Sequence, residues 1–317
     1  MTSAGGTLQR LRGKFDPPVT TRKTKNSFRN GWIKRLPLLP ALVFTIVVTQ
    51  LPFLSTIWFS LQSWQLLRAP EPNFVGLQNY ALVWTEERFR NAALNTVTMT
   101  VSAVLVSLIL GLLLALLVYR KFLGRGIVRT LLITPFLVMP AAAALLWKSS
   151  IFDPVFGLLN FALSPLGFGR IDWLGQFPMF SVVAVLVWQW MPFMMLIILA
   201  GLQSQDAEVL EAARMDGAGT LQTFRYMTLP HIRRFMELGA ILGSIFILQT
   251  FDAILLMTQG GPGNKTTNLP YFLYLTAFRA LDVGQAAALG VVVVAATILI
   301  STFALRMFST VFAGSNR

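Results

Sequence analysis

The sequence predicts an all-α integral membrane protein of six transmembrane helices, with both the N and C termini cytoplasmic. Three observations lead there. Apolar residues make up 55% of the 317-residue chain and charged residues only 12%, about half the charged share of an ordinary soluble domain. Six separate stretches are apolar over the roughly 20 residues that a helix needs to cross a bilayer. The cations between those stretches fall mainly on alternate connections, which orients the chain.

Residues 1–35 carry nine lysines and arginines against one acid, Asp16, among Gly, Thr and Pro. They read as a flexible basic cytoplasmic tail, held inside by the positive-inside bias; specific binding to anionic lipid is the sharper alternative. The six-helix domain spans residues 36–308, and residues 309–317 form a cytoplasmic C-terminal tail. The spans are expected at Leu36–Gln62, Leu94–Tyr119, Thr130–Lys148, Pro178–Ala200, Leu238–Met257 and Val283–Phe308. Pro52, Pro135, Pro140 and Pro192 lie in or near them, where neighbours can take up the freed carbonyls. With the N-terminus inside, 19 of the 26 lysines and arginines fall on inside segments and seven on outside ones. No signal-peptide cleavage pattern follows the first apolar run. The outside segments hold Trp64, Tyr80, Trp84, Trp173, Tyr271 and Tyr274, which suit an interfacial aromatic belt or contacts to a sugar or a partner protein.

Several function classes are excluded. Cysteine is absent and His231 is the single histidine, so neither thiolate sites nor a histidine-based metal centre is available. His231 reads as a surface residue. The net charge of +13 sits in short blocks rather than on one nucleic-acid-binding face. Gly260-Gly261-Pro262-Gly263-Asn264-Lys265-Thr266 looks like a phosphate loop, but Asn264 separates the glycine from the lysine. It reads as a turn, and its Asn264-Lys265-Thr266 sequon as a chance match. No paired carboxylates and no nucleophile with a base occur. The chain is therefore expected to be non-catalytic, with no cofactor or metal of its own.

One polar island stands between the fourth and fifth spans, within a loop at 201–237. Asp206 is placed to cap a short helix through Glu211-Ala212-Ala213-Arg214-Met215-Asp216. Gly217 suits the left-handed position that ends many helices. Thr220 is placed to cap the next helix, and Pro230 fits a first turn. Within the spans, Asp252 is the only interior acid. Such a group faces the bundle interior or a water-filled cavity, so Asp252 with Gln249 and Thr250 reads either as a packing network or as part of a solute path. Trp188-Gln189-Trp190 leaves the same two readings open.

The island follows the pattern Glu-Ala-Ala, three residues, Gly, nine residues, an apolar residue, one residue, Leu-Pro. Here these are Glu211-Ala212-Ala213, Gly217, Met227 and Leu229-Pro230, and they resemble the EAA loop of permeases in binding-protein-dependent ABC importers. The usual isoleucine is Met227. Phe74–Tyr80, Leu146-Trp147-Lys148 with Phe152-Asp153-Pro154, Leu199–Gln203 and Met257–Gly263 look like the sugar branch of that family, in order. The segment around Asn268-Leu269-Pro270-Tyr271 looks closest to permeases for sugars and polyols. The resemblance implies a type I ABC importer permease fold with a cytoplasmic coupling helix, in a bacterial or archaeal cytoplasmic membrane. It further implies a second, usually different, permease, two ATPase subunits that bind ATP and Mg, and an extracytoplasmic solute-binding protein. By that resemblance Glu211 pairs with a basic group on the ATPase, Ala212 and Ala213 permit close approach, and Gly217 sets the lever angle. Asp216, Leu229 and Pro230 complete the coupling set. A stand-alone secondary transporter or channel for a small polar solute is the rival; it requires a set of buried acids and repeated halves, and only Asp252 is available. A membrane anchor without transport would leave Asp252 unexplained.

Overall fold

A computed structural model describes residues 36–313; the basic tail at 1–35 and the last four residues lie outside the described residues. The chain divides into two units at Leu54/Ser55. The first helix, α1 (Leu39–Ser60), follows a short 3-10 turn and contains Pro52. After it come two antiparallel strands, β1 (Gln62–Gln65) and β2 (Ala69–Phe74), with Gln62 opposite Phe74 and Gln65 opposite Ala69. This hairpin departs from the all-helical expectation. Pro70 and Pro72 cannot sit inside a helix, and the hairpin is held from its flank. The Asn79 amide donates to the carbonyls of Ser60 and Gln62, and Tyr80 shares a 2.6 Å hydrogen bond with Ser60. Both residues sit on or beside α2 (Gln78–Thr85), so the Phe74–Tyr80 motif serves here as a structural clip.

The body of the second unit is built on α3 (Glu87–Tyr119), the bent pair α4 (Arg125–Leu137) and α5 (Pro140–Leu146), α8 (Pro178–Gln203), and α11 (Leu229–Leu248). The short helices α6 (Leu158–Leu163) and α7 (Trp173–Gln176) link α5 to α8. Beyond α8 lie α9 (Ala207–Met215) and α10 (Thr220–Thr223); beyond α11 lie α12 (Leu269–Tyr274) and α13 (Val283–Ala313). Among the described residues, α1, α3 and α8 are each long and apolar enough to cross a membrane.

Two expected spans are not straight helices. The third is the α4–α5 pair, extended by a π-turn over Trp147–Ile151 and bent by 97°. Pro140 opens α5, and its ring keeps Met139 out of the helical region; Val138 before it is extended too. The fifth begins earlier than expected, at Leu229, and ends at Leu248. A break follows at Gln249–Phe251, and helix resumes at Asp252 as a π-turn over Ile254–Thr258. The break persists because buried Asn268 donates its amide to the Thr250 carbonyl, satisfying a backbone group that the helix has released. The sixth helix runs past the expected end at Phe308 to Ala313.

The core lies where α3, α8 and α11 meet. Apolar burial gains little over lipid tails, so helix association in a membrane depends on close packing and hydrogen bonds. The sequence supplies that closeness around Met194, which is fully buried. A Cβ on Gly111 would lie 2.9 Å from the Met194 Cβ, and one on Gly243 would lie 2.1 Å from its Cε. Likewise, a Cβ on Gly201 would strike the Phe235 ring at 2.6 Å. One wall of the core is Met99, Ala103, Val185, Ile247 and Ile254; a second, towards the Tyr119 end of α3, is Ala115, Val118, Ile198, Leu202 and Ile232.

Candidate coupling surface and solute path

The loop between α8 and α11 is a compact device at one end of the bundle. Ser204 closes α8, and its hydroxyl meets the His231 ring at 3.1 Å. His231 is half-buried and its bond to Ser204 is solvent-exposed, so the surface histidine also ties the two long helices together. Asp206 holds the N-cap backbone position of α9, but its side chain makes no capping hydrogen bond. At the other end Gly217 has φ +82. The Gly217 amide donates to the Arg214 carbonyl and the Ala218 amide to the Ala213 carbonyl, each at 3.0 Å. This is a Schellman closure, and Asp216 is the residue that precedes its turn. The next helix is capped differently from expectation. Gly219, not Thr220, is the N-cap; its amide donates to the Gln222 side chain at 3.0 Å, and Thr220 is already helical. A π-turn over Phe224–Thr228 then leads without interruption into α11, whose first turn holds Leu229 and Pro230.

The 100° spacing of a helix divides α9 into two faces. Glu208, Glu211, Ala212 and Met215 are exposed together, and Met215 is 89% exposed. Leu210 and Ala213 turn inward, with Ala213 only 6% exposed. Of the two motif alanines, only Ala212 is therefore on the open face; Ala213 is buried. Glu211 makes no ion pair among the described residues, where Arg233–Glu237 at 2.8 Å within α11 is the one salt bridge.

The second set of candidate residues gathers around the bent pair and the broken helix. Gln189 is buried, and its amide donates to the Val138 carbonyl at 3.0 Å, across the bend. It thus satisfies a carbonyl released at Pro140. Trp188 meets Trp147 edge-on at 5.7 Å, and Trp190 stacks on Phe246 at 5.2 Å. Gln249 is exposed, with its amide folded back to the Ile245 carbonyl at 3.2 Å. Asp252 is half-buried at the restart of the helix and has no hydrogen-bond or ion-pair partner among the described residues. Beside it Phe251 lies 5.3 Å from Tyr274, which stacks on Tyr271 at 6.0 Å. A half-buried carboxylate and a row of aromatic rings thus follow one another along this segment.

Three contributors were not read from the sequence. Lys148, on the bent pair, donates to the Leu256 carbonyl at 3.0 Å, one turn beyond Asp252. Asn268 caps α12 by accepting from Tyr271 N at 3.1 Å while holding Thr250. Asn95 donates to the carbonyls of Asn264 and Thr267, which fixes the glycine turn on α3. For Asn268 a signal existed, since Asn before Leu-Pro is a helix-start pattern. Outside the spans, Asp153 accepts from the backbone amides of Phe156 and Val155 at 2.8 Å, and these bonds hold its carboxyl below the usual range. The Phe152-Asp153-Pro154 motif is thus another local clip.

The model for binding-protein-dependent transport system inner membrane components matches residues 107–310. This chain belongs to that family. The permease is 34% identical to the trehalose/maltose transport system permease protein MalF of Thermococcus litoralis, over 83% of this chain and 88% of the relative. It is 33% identical to the sulfoquinovosyl glycerol transport system permease protein SmoG of Agrobacterium fabrum, over 87% and 90%. Its fold matches a chain in the crystal structure of a bacterial ABC transporter involved in import of the acidic polysaccharide alginate. There the TM-score is 0.73 at 23% identity, over 88% of this permease and 96% of that chain. The type I importer permease fold expected from the motif order is thus the fold observed.

Proposed function

We propose that this permease forms part of the translocation path of an ATP-driven importer for a sugar, oligosaccharide or polyol. The chain crosses the cytoplasmic membrane of a bacterium or archaeon six times, with both termini inside and α11 and α13 supplying the fifth and sixth crossings. It pairs with a second, different permease and receives solute from an extracytoplasmic binding protein. Two ATPase subunits on the inner side bind ATP and Mg; this chain carries no cofactor. The observation that carries the reading is the α9 device. Its open face holds Glu211 and Ala212, and the Schellman closure at Gly217 fixes the turn that leads from it towards α10 and α11. A short rigid helix joined to two long ones can turn a shift in the ATPase into a rearrangement of the bundle, which alternating access requires. Asp252, Gln249 and Trp188 line the solute side of the bend, while Gln189 holds the bend itself. The names of the trehalose/maltose and sulfoquinovosyl glycerol relatives support a sugar-class solute.

The experiment is purification of the tagged full chain from its native membrane, followed by reconstitution. An ATPase, another permease and a solute-binding protein co-purify under this reading and not for a secondary transporter. In the reconstituted complex Glu211→Lys abolishes solute-stimulated ATP hydrolysis. Unchanged stimulation in that variant would remove Glu211 from the coupling role.

A further inference from the structure

At the coupling end of the bundle two cavities adjoin and share Tyr119 and Arg120. One, of about 510 Å³, is lined by Tyr119, Arg120, Lys121, Arg125 and Gln203. The other, of about 570 Å³, is lined by Leu116, Leu202, Leu210, Leu221 and Phe224 together with Arg214, Gln205 and three threonines, and its exposed lining is mostly apolar. Neither lining includes an acid. No Asp or Glu occurs in the sequence between Glu87 and Asp153. None of Arg120, Lys121, Arg125 or Arg214 forms an ion pair among the described residues. A positive-inside bias alone asks for cations near this end. It does not ask that three of them line one recess, or that an open apolar recess sit beside it. The apolar recess lies under the inward face of α9, opposite the face that carries Glu211.

We infer that the paired recesses hold an anionic glycerophospholipid of the phosphatidylglycerol class, with its phosphate on Arg120, Lys121 and Arg125 and an acyl chain against the leucines. The charge complementarity selects a lipid with net negative charge, because a zwitterionic headgroup would leave the cations unneutralised. The apolar recess selects a lipid over a soluble phosphate, because a free phosphate leaves Leu116, Leu221 and Phe224 in contact with water. Bound there, the lipid fills the space between the inner end of α3 and the coupling helix and braces α9 from behind.

The test is native mass spectrometry of the delipidated full chain with its co-purifying subunits. The complex is titrated with dioleoylphosphatidylglycerol or with dioleoylphosphatidylcholine, with millimolar glycerol 1-phosphate as competitor. Phosphatidylglycerol binds at low occupancy number and in preference to phosphatidylcholine, and glycerol 1-phosphate does not displace it. Each cation removed weakens retention about fivefold, so Arg120→Gln/Lys121→Gln/Arg125→Gln loses about a hundredfold in apparent affinity. Arg88→Gln/Arg90→Gln, at the opposite end of α3, changes retention less than twofold. Arg120→Lys/Lys121→Arg/Arg125→Lys keeps the charge and keeps the lipid. Equal retention of the two lipids, an equal loss in the Arg88/Arg90 variant, a loss in the charge-preserving variant, or displacement by glycerol 1-phosphate each overturns the assignment.

Discussion

Replacing Gly217 separates backbone geometry from side-chain contact at the coupling loop. Its φ of +82 lies in the left-handed region, and a Cβ built there meets nothing within 4 Å. Sterics from neighbours therefore add nothing, and the whole penalty is conformational. For an ordinary L-residue that penalty is about 1–2 kcal/mol. Both closing hydrogen bonds, Gly217 to Arg214 and Ala218 to Ala213, depend on this conformation. Gly217→Ala thus shifts the closed form of the α9–α10 turn against its alternatives by about 5- to 30-fold. Gly217→Asn costs much less, because Asn tolerates the left-handed region, and Gly217→Val costs most, since β-branching disfavours it further. The assay is solute-stimulated ATP hydrolysis by the reconstituted complex, with protein level in the membrane as the control for folding. The expected order of stimulation is Gly, Asn, Ala, Val, from highest to lowest, at similar protein levels. An Asn variant as impaired as the Val variant refutes the reasoning, because side-chain bulk would then matter in a place the structure shows to be open.

Three further outcomes follow from the packing and the path. Gly111→Val forces a side chain against the Met194 Cβ and the Met195 backbone nitrogen at about 3 Å; it costs about 1–3 kcal/mol by overpacking. Gly243→Ala meets only the flexible Met194 Cε and is milder, and thermal unfolding in detergent checks that order. Gln189→Leu leaves the Val138 carbonyl without its partner, a loss of about 1–3 kcal/mol measured as a lower melting temperature; an unchanged value shows that the bend holds without it. Asp252→Asn lowers transport rate or changes solute selectivity in proteoliposomes with little change in melting temperature, since no partner depends on its charge; if rate and selectivity both survive, the carboxylate lies outside the path.

The sequence by itself determined the material of the fold: apolar runs of helical length, a polar island and a glycine suited to ending a helix. Each depends on composition and local spacing, and the ordered motifs placed the chain in its family. Gly217 illustrates this, because a left-handed helix end is a local demand that one residue can announce. Tertiary structure decided what local spacing cannot encode. The breaks in the third and fifth helices endure because Gln189 and Asn268, 51 and 18 residues away, supply amides to Val138 and Thr250. Ala213 is buried and Ala212 exposed because the folded loop covers one face of α9, which no pair of adjacent alanines reveals. Lys148 reaches Leu256 across 108 residues. In each case the deciding group is a hydrogen-bond donor or a packing surface brought from elsewhere in the chain, and its place follows only once the helices have met.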